Sequence, residues 1–102
     1  MKARIKWIEQ MAFVGETESG HAVVMDAAPA VGGRNLGPRP MEMLLLGAGG
    51  CSSIDVISIL GKTRQAVSDC YVEIEAERAD TDPKVFTKIH LHYVVKGKNI
   101  KP

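Results

Sequence analysis

Two cysteines are the residues of this sequence best suited to chemistry, and Cys51 is the better placed of them. It follows Gly49 and Gly50, which carry no side chains, so another helix or a substrate can approach the backbone closely there. A thiol in such a place acts as a nucleophile or redox group, or it is a small buried hydrophobe, the ordinary fate of free cysteine. Asp55 lies one helical turn further on, on the same face, where its negative charge opposes the thiolate. The helix N-terminus, whose dipole would favour the thiolate, is several turns away. Cys70 alternates with Val72 and Ile74 on the apolar face of a strand, so it reads as core. A bridge between the two cysteines requires close Cα approach, which spacing does not define.

His90 and His92 place two imidazoles on one strand face, with Glu73 and Glu75 as potential third ligands across a hairpin. No sharper ligand spacing supports them, so a solvated polar face is the reading and no metal is expected. Glu42 is the remaining candidate acid or base. At about 100° per residue it falls nearly opposite Cys51 on one continuous helix. It serves that thiol only through a partner subunit or a bend at the glycines. A glutamate at a helix start is equally well explained by the helix dipole. The run Gly47-Ala48-Gly49-Gly50 sits in a helical pattern rather than a strand-to-helix turn, so it is not a dinucleotide fingerprint and no cofactor is expected.

Several elements must position these residues. Ala3, Ile5 and Trp7 alternate with Lys2, Arg4 and Lys6, which predicts a strand with one apolar face. Met11 to Glu16 and His21 to Met25 follow as two more strands, separated by turns near Glu9-Gln10 and Ser19-Gly20. Residues 27–39 (AAPAVGGRNLGPR) form a loop of prolines and glycines without periodicity. A loop that long in a small domain is usually functional or mobile.

Pro40 suits the first position of a helix running to about Ala66, apolar almost all round from Met43 to Leu60. Its length also fits a membrane span, but Asp55, the glycines and the strand-forming flanks favour a helix buried on most sides, covered in part by a partner subunit. Cys70 to Glu77 and Thr87 to Val95 then alternate as a hairpin, with the glutamate face of one strand beside the Lys/His face of the other. The order is βββ-α-ββ, an α+β arrangement of a β-meander and a hairpin around a long buried helix.

The whole sequence bounds these expectations. It has 102 residues, 45% apolar and 25% charged, and a formal net charge of +1. That balance suits one globular domain with a modest core. Near-neutral charge argues against nucleic acid and anionic membranes as partners. Two cysteines and no signal-peptide pattern fit a reducing, cytoplasmic compartment.

The block Pro40-Met41-Glu42-Met43-Leu44-Leu45-Leu46-Gly47-Ala48-Gly49-Gly50-Cys51-Ser52-Ser53-Ile54-Asp55-Val56 resembles the OsmC/Ohr superfamily, and more narrowly its YhfA-like branch. The opening Ala-Arg-Ile-Lys-Trp strand, the Ser19-Gly20-His21 turn and the strand from Phe86 to His92 extend the resemblance over nearly the whole chain. It implies an intertwined homodimer of α+β subunits, with long central helices packed together and sheets wrapped around them. It further implies a thiol-dependent peroxidase acting on organic hydroperoxides in oxidative-stress defence. In such enzymes one cysteine attacks the peroxide, a second resolves the sulfenic acid, and an arginine and a glutamate polarise the site.

Cys51 matches the attacking cysteine. The family's glutamate position is Met41 here, with Glu42 one residue away, so Glu42 is the carried-over acid. Glu18 and Ser19 precede Gly20 where the family has its arginine, leaving Arg4, Arg34 or Arg39 to substitute. Cys70 does not match the resolving cysteine, which lies in a C-terminal helix beyond the last strand, so an external thiol is the expected reductant. Residues 1–102 are expected to form a single OsmC-like domain that stops before that helix. The competing expectation is a dimeric protein without peroxidase activity, binding a small apolar ligand on the same scaffold.

Overall fold

The structure, a computed structural model, describes residues 1–98. In chain order it contains β1 (Ala3–Glu9), β2 (Ala12–Thr17), β3 (Ala22–Met25), a single 3-10 turn at Pro29–Val31, α1 (Pro40–Lys62), β4 (Ala66–Arg78) and β5 (Phe86–Lys98). This is the expected α+β order. The strands form two separate antiparallel sheets, β1-β2-β3 and β4-β5. The chain divides into two compact units, one over Met1–Leu44 and the other beginning at Leu45.

In the first unit the alternation seen in the sequence becomes two chemically distinct sheet faces. Ile5 pairs with Gly15, Trp7 with Phe13, and Phe13 with Met25, which gathers the large apolar side chains on one side. Arg4 opposite Glu16 and Lys6 opposite Val14 belong to the other. Trp7 closes the first turn by donating its indole N–H to the Gln10 carbonyl at 2.7 Å. Gly20 closes the second with a φ of 90°, a conformation other residues rarely adopt.

In the second unit β4 and β5 pair in the register that places Glu73 opposite His92, Glu75 opposite His90 and Glu77 opposite Lys88. The alternate positions pair Cys70 with Val95, Val72 with Tyr93, Ile74 with Leu91 and Ala76 with Ile89, forming the apolar face. Gly49 of α1 is buried against that face: a Cβ built there would stand 2.6 Å from the Ile74 Cδ1 and 3.6 Å from Val72 Cγ1. The bare backbone is what lets helix and hairpin meet so closely.

Two expectations for α1 are corrected. The helix ends at Lys62, not near Ala66, which already begins β4. The Gln65 N–H donates to Leu60 O and the Arg64 N–H to Gly61 O, the paired bonds of a Schellman stop, with Arg64 in the left-handed position at φ 56°. Arginine gives no sequence signal there, because glycine is the usual occupant. The helix is also not buried on most sides within the chain, since Gly49 is its one buried residue. Leu44 is 60% exposed and Ile54 71%.

By length and composition α1 is apolar enough to cross a membrane, with a mean hydropathy of 1.8. At Gly49 it packs on the apolar face of a hairpin whose other face is a ladder of glutamates and basic residues, the kind of helix-on-sheet contact an α+β fold makes.

Candidate functional site

Cys51 lies on α1 just past the Gly49 contact, as an exposed free thiol. The hairpin meets the helix at Gly49 and Ser53, and Leu45, Val56 and Leu60 on the same helical side are also partly covered. Cys51 falls outside that stripe, with exposed Leu44, Ile54 and Asp55 on its side of the helix. Gly47 and Gly50 also face open space, with nothing within 4 Å of a Cβ built on either. The glycine cluster therefore has two functions. Gly49 admits the hairpin, while Gly47 and Gly50 leave the backbone beside the thiol bare.

The serines that follow are satisfied locally. Ser52 Oγ donates to the Ala48 carbonyl at 2.9 Å and Ser53 Oγ to the Gly49 carbonyl at 2.7 Å. Ser53 also stands 3.4 Å from the Tyr93 hydroxyl. Such back-bonding lets a nearly apolar helix carry hydroxyls without orphaned donors. Cys70, the other free thiol, is half-buried on the hairpin's apolar face, as its alternation predicted.

Glu42 occupies the first turn of α1 and has a defined task there. The Arg39 carbonyl accepts the first helical bond, from Met43 N–H at 3.1 Å, which makes Arg39 the N-cap residue. Glu42 Oε1 then accepts the Arg39 N–H at 2.8 Å, the glutamate half of a capping box. The Arg39 guanidinium stands 3.7 Å from the same oxygen and donates to Asn35 Oδ1 at 3.1 Å. Of the three arginines named from the sequence, the structure thus brings Arg39 to Glu42. Arg34 pairs with Glu9 at 3.0 Å instead.

Asp26 is the residue that sequence reasoning missed. It is 2% exposed, at the end of β3, and it organises the loop that follows. Its Oδ1 accepts the Ala27 N–H at 2.7 Å, and its Oδ2 accepts those of Arg34 at 3.1 Å and Leu36 at 3.3 Å. Its own N–H donates to the Pro38 carbonyl at 3.1 Å. Burial by itself would raise the Asp26 pKa, but the three backbone donors and the Arg34 charge outweigh it and hold the carboxyl below its ordinary value. The available signal was a lone short carboxylate between an apolar strand and a Gly/Pro-rich loop, where Asp commonly caps its own downstream backbone.

The loop start and β1–β3 also border an open pocket of about 450 Å³, lined by Ile5, Met11, Phe13, Met25, Ala27 and Pro40, with Asp26 at its edge. Its size and apolar walls are those of a small-molecule site. On the hairpin, His90 and His92 face Glu75 and Glu73 as expected. Among the described residues, no group of three His, Cys, Asp or Glu side chains is placed to hold a metal ion.

Comparisons with known proteins bear on this geometry. A family model described as OsmC-like protein matches residues 32–102, the stretch that contains the second part of the loop, α1 and the hairpin. Protein YhfA of Escherichia coli K12 is 48% identical over 101 residues, covering 99% of this chain and 72% of that one. A solved structure from structural genomics, also 48% identical, matches with a TM-score of 0.86 over 99% of this chain and 72% of its own. A crystal structure from Psychrobacter arcticus 273-4, of a protein described as a putative osmotic stress induced and detoxification response protein, is 12% identical. It matches with a TM-score of 0.83 over 96% of this chain and 72% of that one, a likeness of fold alone.

Proposed function

The chain belongs to the OsmC-like family, and from that premise we propose that it is a thiol-dependent peroxidase reducing organic hydroperoxides through Cys51. The observation that carries this reading is the free Cys51 thiol on a helix side where Gly47 and Gly50 carry no side chains, which leaves space beside the sulfur for a small peroxide. The thiolate sulfur attacks the terminal peroxide oxygen and the O–O bond breaks. The alkoxide takes a proton and leaves as the alcohol, and Cys51 becomes a sulfenic acid. One molecule of an external thiol then displaces water to form a mixed disulfide. A second releases the Cys51 thiol and leaves as the oxidised reductant.

The working form is a homodimer in this proposal. Leu44 and Ile54 leave an apolar helix side uncovered, a surface of the kind a subunit interface uses. Helical phase places Glu42 and Cys51 of one chain on opposite sides of α1, so the Arg39–Glu42 pair of one protomer serves the thiol of its partner. A guanidinium there stabilises the negative charge that passes to the peroxide oxygen as the O–O bond breaks. Two free cysteines fit a reducing, cytoplasmic setting.

The deciding experiment is sulfenate trapping with dimedone after cumene hydroperoxide, read by mass spectrometry on wild type and Cys51→Ser. The wild type should gain the adduct at Cys51, and the variant should gain none. A wild type that takes up no adduct removes the peroxidase. The second reading, a non-peroxidase binding protein for small apolar ligands, then stands. It is favoured by the apolar pocket bordered by Ile5, Phe13 and Met25 and by the capping task that already engages Glu42.

A further inference from the structure

A loop rich in glycine and proline has no intrinsic means of holding a guanidinium in one place. In this chain a relay of hydrogen bonds supplies it. Asp26 Oδ2 accepts the N–H groups of Arg34 and Leu36, the residues immediately before and after Asn35. The side chain of Arg34 is itself tied to Glu9 on β1 at 3.0 Å, so the backbone ahead of Asn35 is held from two directions. Between these anchors Asn35 takes the left-handed conformation, φ 55°, which asparagine tolerates better than most residues. Its Oδ1 then accepts Arg39 Nη1 at 3.1 Å, and Arg39 in turn meets Glu42.

We propose that Asp26 and Asn35 are positioning residues: Asp26 pins the backbone on both sides of Asn35, and Asn35 holds the Arg39 guanidinium beside Glu42. The effect on turnover rests on the peroxidase reading; the ordering of Arg39 does not. Carboxylate chemistry is required at the head of the relay. Three N–H groups converge on two oxygens, and an amide in the same place offers only one acceptor oxygen. In Asp26→Asn either the Ala27 bond or both loop bonds must be lost, with a donor left facing a donor. Asn35→Gly isolates the last link, because glycine keeps the left-handed backbone without strain and removes only the side-chain acceptor.

The test has two readouts. The first is the heteronuclear NOE of the Arg39 Nε–Hε group in ¹⁵N-labelled protein, with Arg4 as an exposed reference. Arg39 should be rigid in the wild type and as mobile as Arg4 in both Asp26→Asn and Asn35→Gly. An Arg39 that stays rigid in the two variants, or is already mobile in the wild type, overturns the proposal. Should Asp26→Asn fail to fold, Asn35→Gly alone decides.

The second readout is kcat/KM for cumene hydroperoxide with dithiothreitol, in a double-mutant cycle of Asp26→Asn and Arg39→Ala. Each variant should lose about tenfold, and the double variant no more than either, because both remove the same interaction. Losses that multiply to about a hundredfold place Asp26 outside the action of Arg39. A wild type without turnover overturns the peroxidase reading, while the NOE still decides whether Asp26 and Asn35 position Arg39.

Discussion

The loop after β3 and the helix that follows it solve opposite problems. The loop is polar and irregular, yet Asp26 satisfies and orders it from within the chain, with four backbone bonds converging on one residue. The helix is regular and apolar, yet among the described residues Gly49 is the one position on it that is fully buried. Hydrogen-bonding groups are few and directional, so one carboxylate completes the loop. Hydrophobic burial scales with area, and a two-stranded hairpin covers only one side of a 23-residue helix. What is self-sufficient in this molecule is its least regular part.

The largest test of that contrast is to charge the uncovered side of the helix. If the proposed dimer covers this side, Ile54→Lys should weaken self-association by on the order of 100-fold, read by sedimentation equilibrium, because an apolar interface position then carries a charge. A wild type that sediments as a monomer, or a variant that associates unchanged, breaks the comparison by showing that the bare side needs no cover. The glycines divide it next. Gly49→Ala should be less stable than Gly50→Ala by about 1 kcal/mol in urea unfolding, since the added methyl displaces Ile74 Cδ1, which stands 2.6 Å away, and this offsets the helix-propensity gain. Gly50→Ala should be neutral in a monomer, or stabilising by up to about 1 kcal/mol from helix propensity. A loss at Gly50 comparable to that at Gly49 would reveal a partner packed as closely as the hairpin.

Acid tests the polar side. The folded-state pKa of Asp26 lies below its unfolded value, so its contribution is complete above the ordinary carboxylate range and is lost as pH falls through the folded value. Between about pH 6 and about pH 3 the wild type should lose stability faster than Asp26→Asn, read by urea midpoints. Parallel curves would remove the charge, though not the hydrogen bonds, from the account. The smallest effect belongs to the helix stop. Arg64→Gly should raise stability by about 1 kcal/mol by relieving the left-handed arginine at φ 56°.

Much of the fold was legible from residue alternation. The Glu73–His92 and Glu75–His90 pairings follow from period-two patterns in two strands joined by an obvious turn. The same pattern separated Cys70, on the apolar face, from the polar ladder. The helix stop was not legible, because Arg64 performs by hydrogen bonding what a glycine would have announced. At the candidate site, Cys51 and Glu42 were singled out as candidates by residue type, spacing and the family resemblance. The capping bond of Glu42, its pairing with Arg39 rather than Arg34, and the exposure of Cys51 were not.

The sequence by itself determined which residues are extended, which are helical and which side of each strand is apolar, because these depend on neighbours a few positions apart. The tertiary structure decided what the loop does. Asp26 gathers N–H groups from as far along the chain as Leu36, and a bond across ten residues of irregular backbone leaves no period to read. It also decided which of three closely spaced glycines matters for packing, since Gly47, Gly49 and Gly50 differ only in what lies opposite them.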